Sequence, residues 1–230
     1  MKWMKLFEEF DDSDMSITAF FEELGLEGEY KFAEADGVKF YMTRIPEETN
    51  DQELLDAIGV LEQRLGDCNM SVLANCRIDR IGRISERLTL VIYDKRTLIQ
   101  TIDKWIQKAH SSLLNRVDES EDAEKDFTKE LVNEIELVDS VKVDSVRAST
   151  HNEKLFNTRP FLGVPHLIGL FHISLNIDYG KGPDGIWHSD LEYYISELRW
   201  SLVDMLKTEL DLPDNDPTML GLFKLEKINI

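Results

Sequence analysis

The chain has 230 residues, with 26 Lys and Arg set against 45 Asp and Glu for a formal net charge of −19. A chain of this length buries a core without disulfide or metal staples, and its 42% hydrophobic content excludes wholesale disorder. No apolar run reaches the roughly 18 residues that a membrane-spanning helix needs. The opening MKWMKLFEEFDDSD has no apolar stretch ahead of its acids of the kind a secretory leader carries, so a cytoplasmic protein with no membrane partner is expected.

The negative charge is clustered. Residues 1–30 hold 9 acids and 2 lysines, residues 117–140 hold 10 and 2, and these two stretches supply −15 of the −19. An even acidic surface chiefly keeps a protein dissolved, whereas a clustered one sets up local fields that select partners. The two cysteines, Cys68 and Cys76, have seven residues between them, wider than the gap of a zinc half-site. A lone short-loop bridge is not expected in a chain of this size, which points to reduced thiols. No cofactor is expected.

In chain order, residues 16–25 (SITAFFEELG) read as a short helix, with Ser16 as its cap, Phe20 and Phe21 inward and Gly25 as its stop. Asp36-Gly37 then supplies the two positive-φ positions of a type I′ turn. Counting outward pairs Ala35 with Val38, Glu34 with Lys39 and Phe32 with Tyr41, so a charge pair and an aromatic pair both fall in register. Asn50 with Glu53 resembles a capping box for a second helix, whose Leu54, Ile58, Leu61 and Leu65 form one face before Gly66. The segment that follows has no clear period. Residues 87–93 (RLTLVIY) alternate as a strand with Leu88, Leu90 and Ile92 on one side. Asp94 is the expected cap of a third helix, whose Leu98, Ile102, Trp105, Ala109 and Leu113 repeat at helical spacing to about residue 116.

The tract from Asp118 to Asp126 breaks that pattern, and its like charges resist joint desolvation, so an exposed connector is expected. Ile135, Leu137, Val141 and Val143 then share one face of a strand running to about Arg147, and residues 148–165 read as an extended loop. Residues 166–178 form a second long strand. Past a glycine-containing loop, Ser189 and Glu192 make a capping box for the longest helix, with Leu191, Ile195, Leu198, Leu202 and Met205 as its buried stripe and Pro213 as its stop. MLGLFKLEKINI reads as a final strand. These elements describe an α+β fold: an antiparallel or mixed sheet with an N-terminal β-hairpin and three to five helices packed on it. The expected organisation is a single domain over residues 1–230 with the acidic connector at 118–126, the alternative being two subdomains, 1–117 and 127–230.

Two regions could carry chemistry. On the strand at 166–178, His172, Ser174, Asn176 and Asp178 share one face, and the following loop and helix add Lys181, Asp184, His188 and Asp190. His172, Asp178, His188 and Asp190 are the candidate catalytic residues there, as metal ligands or an acid and base. The competing reading is the ordinary polar face of a half-exposed strand, and no spacing matches a zinc motif. The loop is not a P-loop, and Asp190 and Glu192 at the helix start would repel an anion. In RIDRIGRISER, Arg77, Arg80 and Arg83 at intervals of three suggest one side of a helical turn, weakened by Gly82. Their expected role is solvation or pairing with the chain's own acids.

Three functions follow. The leading expectation is a non-catalytic acidic protein-binding module, acting as an inhibitor, an immunity-type protein or a subunit of a larger assembly, with a partner of basic surface. Its expected contact residues are Asp118, Glu119, Glu121, Asp122, Glu124 and the loop aromatic Trp187. The second is a small metal-dependent hydrolase or nuclease at the 172–190 corner. The third is a nucleic-acid mimic, which needs carboxylates at regular intervals on rigid elements. Direct nucleic-acid binding is opposed by the net charge.

Overall fold

A computed structural model describes residues 12–25, 30–44, 51–77, 87–118, 138–153, 166–179, 188–213 and 219–228. Within them the chain is α+β, with four α-helices, an antiparallel sheet, a mixed sheet and the N-terminal hairpin. It forms two compact units, one from residues 1–97 and 149–169, the other from 98–148 and 170–230.

In the first unit, helix α1 (Asp12–Glu23) begins a turn ahead of the expected start at Ser16. It stops as expected at Gly25, whose φ is +67° and whose N–H donates to the Glu22 carbonyl at 3.0 Å. Strands β1 (Lys31–Ala35) and β2 (Val38–Arg44) form the hairpin in the expected register, with Phe32 opposite Tyr41 and Glu34 opposite Lys39. Asp36 and Gly37 hold φ of 48° and 82°, and the Phe32 and Tyr41 ring centroids are 5.0 Å apart.

Helix α2 (Asp51–Asp67) buries Leu54, Leu61 and Leu65 and half-buries Ile58; the expected cap, Asn50, lies outside the described residues. Gly66 does not end it. The stop is Asn69, in the left-handed region at φ 60°, with the Cys68 and Asn69 N–H groups closing on the Leu65 and Gly66 carbonyls. The segment without a clear period proves to be strand β3 (Met70–Arg77), so Arg77 is extended rather than part of a helical turn. Arg80 and Arg83 lie outside the described residues. β3 pairs antiparallel with β4 (Arg87–Asp94), giving the sheet order β1-β2-β4-β3. Leu88, Leu90 and Ile92 of β4 join one core with Phe20, Phe21 and the α2 leucines. The opposite face of β4 is buried too, through Thr89, Val91 and Tyr93, a feature of an interior strand that one-sided alternation does not reveal. On that face the Asn75 amide donates to the Gly169 carbonyl at 2.9 Å.

In the second unit, helix α3 (Leu98–Asp118) buries all five expected stripe residues, Trp105 completely. Asp94 is not its cap. The Asp94 carboxylate instead closes the preceding turn by accepting the Arg96 N–H at 2.8 Å and its guanidinium at 2.7 Å, and Arg96 holds its pKa below the usual carboxylate value. Strand β5 (Val138–Glu153) continues past Arg147 through part of the expected loop; Ile135 and Leu137 lie outside the described residues. Strand β6 (His166–Tyr179) buries Phe171, Ile173, Leu175 and Ile177 as expected.

Helix α4 (His188–Glu209) begins one residue before the expected cap Ser189. It buries Leu191, Leu198 and Leu202, while Ile195 and Met205 are half-buried and Tyr194, Ser201 and Leu206 are buried beside them. It ends before Pro213 can act, in a Schellman-type closure. Asp211 has φ 51°, its N–H donates to the Thr208 carbonyl at 3.3 Å, and the Leu212 N–H donates to the Lys207 carbonyl at 2.8 Å. A 3-10 turn (Met219–Gly221) leads to β7 (Phe223–Lys227). β7 runs parallel to β6 with Phe223 opposite Phe171, in the sheet order β5-β6-β7, so α4 is the crossover of a β-α-β unit.

Gly169 shows how closely β6 and β3 approach within the first unit. A Cβ at this position would overlap the Ala74 carbonyl oxygen and lie 2.8 Å from its carbon, and strand backbone cannot yield as a flexible side chain does. Replacing Gly169 with Ala is expected to lower unfolding free energy by about 1–3 kcal/mol, read as a lower urea midpoint at unchanged slope.

Candidate functional site

The β6–α4 corner keeps the polar face expected of it in part. His172 and Ser174 are half-buried and Asn176 is exposed. Parallel pairing with β7 sets His172 opposite Lys224 and Ser174 opposite Glu226, and Lys224 and Glu226 form an ion pair at 3.5 Å. His172 therefore stands opposite a lysine that is itself paired with a carboxylate. Asp178 is the penultimate residue of β6, and His188 and Asp190 open α4. The side chains of these three, and the loop residues Lys181, Asp184 and Trp187, lie outside the described residues. Among the described residues no three of His, Cys, Asp and Glu gather so as to hold a metal ion. Asp118 is the last residue of α3, while Glu119, Glu121, Asp122 and Glu124 lie outside the described residues.

A second feature of interest is the groove between α3 and β5, about 430 Å³ and lined by Ile99, Asp103, Gln107, His110, Val141 and Val143 among others. β5 is an edge strand of its sheet, and an open edge is a template for unwanted strand pairing. Asp103 and Gln107 lie one helical turn apart on α3, and alternate residues of a strand present their polar backbone groups to the same side. Asp103 Oδ1 accepts the Val143 N–H at 2.9 Å, and the Gln107 amide donates to the Val141 carbonyl. Two side chains thus occupy one N–H and one carbonyl of the edge where a further strand would have to pair.

One turn on, His110 Nδ1 lies 2.8 Å from the Tyr194 hydroxyl of α4. Burial raises the Tyr194 pKa well above its ordinary value, so the phenol keeps its proton, and burial lowers the His110 pKa, favouring the neutral ring. The two effects agree on a hydroxyl donating to a neutral imidazole. Beside this contact, Ser201 Oγ donates to the Ala109 carbonyl at 2.9 Å, and Lys108 pairs with Glu209 at 2.8 Å. The groove is built from groups that hold α3 to α4 and to β5, and its polar atoms are largely engaged in doing so.

Among the described residues of the second unit, the exposed aromatics are Tyr193 at 43% and Trp200 at 47% exposure, both on α4. The sequence expectation names Trp187, which lies outside the described residues, and not Trp200. The signal was present, because Trp200 falls on the side of the helix away from Leu191, Leu198 and Leu202 and lies seven residues after Tyr193. No helix among the described residues is long and apolar enough to cross a membrane. In comparisons with known proteins, no family model, no curated protein and no solved structure matches the chain.

Two outcomes follow from the α3 contacts. Replacing Asp103 with Ala leaves the Val143 N–H without its acceptor and is expected to cost about 1–3 kcal/mol, measured by urea denaturation. For His110 the folded pKa lies below the unfolded value of about 6.5, so the unfolded chain takes up the proton first as pH falls. Stability contributed by the neutral ring is complete above that value and declines as pH drops from about 6.5 through the folded pKa. His110→Gln is expected to flatten this part of the curve; equal slopes for the two proteins between about pH 7 and pH 5 would show that His110 does not titrate as described.

Proposed function

We propose that the chain is a non-catalytic acidic protein-binding module, an inhibitor, an immunity-type protein or a subunit of a larger assembly, whose partner presents a basic surface. The observation that carries this reading is the placement of charge. Among the described residues no Asp or Glu is buried, and Glu22, Glu34, Glu53, Asp56, Glu62, Asp67, Asp144 and Glu192 are all exposed. Carboxylates held at the surface leave their field in solvent, where it accelerates encounter with cationic partners and discourages anionic ones. The Asp118 to Asp126 tract adds six acids and one lysine to the same sign. The metal-dependent enzyme reading gains no gathered ligand set from the described residues.

The test is kinetic. A partner isolated by affinity capture is mixed with the wild-type chain and with a variant carrying Asp118→Asn, Glu119→Gln, Glu121→Gln and Asp122→Asn. The variant is expected to associate about tenfold more slowly at low ionic strength, with the difference largely gone near 1 M salt, where the Debye length falls to about 3 Å. Equal association rates at low salt would remove the steering role from this tract.

A further inference from the structure

We propose that the outer edge of β1 is a docking site for an extended segment of a partner protein, which adds to the four-stranded sheet as a further antiparallel strand and is recognised by Phe32 and Glu34. This rests on the protein-binding reading above and names the surface and the kind of segment it takes.

β1 ends the sheet order β1-β2-β4-β3, and among the described residues no further strand pairs with it. The hairpin decides which of its groups face outward. A two-residue turn is closed by a hydrogen-bonded pair, here Ala35 with Val38, and such pairs alternate along an antiparallel ladder. Lys31, Ala33 and Ala35 therefore direct their backbone groups at β2, while the N–H and C=O of Phe32 and Glu34 point away from it. At the edge of β5, α3 takes up groups of Val141 and Val143. The edge of β1 instead meets solvent, with Lys31, Phe32 and Glu34 all exposed, Phe32 to 51%. A single exposed apolar residue is ordinary on a protein surface, but this one is held in place at an open edge. Ring centroids lie 4.3 Å apart for Phe21 and Tyr30, 5.6 Å for Tyr30 and Tyr41, and 5.0 Å for Tyr41 and Phe32. Phe32 is thus the outer end of an aromatic row that runs into the core, and a ring secured in this way loses little conformational freedom on binding.

Side-chain alternation selects the segment. Phe32 and Glu34 share one face of β1, and Lys31 lies on the other with Ala33 and Ala35. On the inner side, β2 sets Tyr41 opposite Phe32 and Lys39 opposite Glu34. An added strand gains most by repeating that arrangement, because aromatic or β-branched pairs and opposite charges are the favourable cross-strand neighbours. It carries an aromatic or β-branched residue opposite Phe32, a Lys or Arg opposite Glu34, and an acid opposite Lys31. Along an antiparallel partner the order is therefore cation, any residue, aromatic, acid. A second copy of β1 does not supply it. Glu34 and Lys31 lie on opposite faces, so no antiparallel register of two β1 strands brings them together. Registers centred on either of them set like charges opposite each other, and those centred on Phe32 or Ala33 leave Glu34 opposite an aromatic ring. A docked helix would cover the Phe32 ring but has its own backbone groups already bonded along its axis, so those of Phe32 and Glu34 would go unmet. Strand addition meets them and the side chains together.

The probe is a labelled peptide of about eight residues that reads Lys-Thr-Tyr-Glu at its centre, with Thr and Ser at its ends, titrated against the full chain by fluorescence anisotropy. Saturable one-to-one binding is expected. Methylating the backbone nitrogen of the peptide's Tyr, which faces β1, should abolish it, while methylating that of the preceding Thr, which faces away, should leave most of it. In amide hydrogen exchange, the Phe32 and Glu34 N–H groups should gain protection on binding, and that of Ala33, already bonded to β2, should change least. Phe32→Ala should weaken binding about tenfold. Gln in place of the peptide's Lys should weaken binding to wild type about threefold and leave binding to Glu34→Gln unchanged. Circular dichroism checks the fold of each variant, and the methylated peptides test the edge on the wild-type chain alone. Failure of the wild-type chain to bind, equal binding of the two methylated peptides, or protection gained elsewhere and not at Phe32 and Glu34 overturns the assignment. Self-association that protects the same two amides without peptide also overturns it, with a second copy as the occupant. Should the captured partner associate equally with wild type and Phe32→Ala while keeping its salt dependence, the edge is wrong and the protein-binding reading stands. Should its association lack salt dependence while the peptide results hold, the basic-partner reading falls and the edge stands.

Discussion

Taking a carboxylate out of water without a partner costs several kcal/mol even after the surroundings relax. With 45 acids and 26 bases, at least 19 acids have no base within the chain to pair with. The fold must therefore keep acids outside while drawing its cores from a limited apolar supply. It does so with two strands of dense apolar content. β4 is buried on both faces, and β6 buries Phe171, Ile173, Leu175 and Ile177. Helix α3 then contributes a single stripe, Leu98, Ile102, Trp105, Ala109 and Leu113, so that its other side remains free for charge. The polar groups admitted to the interior of the described residues are hydroxyls and amides with one lysine, Lys207. Asn75 and Ser201 show why neutral groups are tolerated there, since each meets a backbone carbonyl at 2.9 Å. A satisfied neutral donor escapes most of the penalty that an ion would incur.

The same economy governs how elements are joined. Asp103, one of the few acids turned toward packed structure, is half-buried, and there it accepts a backbone N–H. An edge strand in an acidic protein could be guarded simply by charge, and β5 does carry Lys142, Asp144 and Arg147. Occupying its backbone groups from α3 is a stronger device. Charge on an edge is screened by salt, whereas an N–H already bonded to a carboxylate is unavailable at any ionic strength.

How much of this was legible in the sequence follows from where the information resides. The β1–β2 hairpin was readable to the residue because Asp36-Gly37 fixes the turn and the turn fixes the register. The faces of α3, β4 and β6 were readable because large apolar residues mark them. β3 was not, because Ser71, Ala74 and Asn75 are small or polar, and their burial depends on the neighbouring strand and on Gly169. Helix stops were misassigned to Gly66 and Pro213 because Asn69 and Asp211 adopt left-handed φ without being glycine. The parallel pairing of β7 with β6 is set by the crossover through α4, which no local pattern encodes. Of the candidate site, the polar face at His172 was visible as alternation. Its neighbour Lys224 was not, since it arrives from 52 residues away through that crossover.

The crossover also fixes how α4 is held. A helix joining two parallel strands is fixed at both ends and along its inner side, so its outer face is a rigid ridge. In the proposed function the labour of recognition is divided. Clustered carboxylates act over a Debye length and govern how often partners meet. Aromatic rings act only on contact, and variation among related complexes in how long they last is mostly variation in the dissociation rate. The two contributions respond differently to salt, because screening weakens the field and leaves the apolar contact in place.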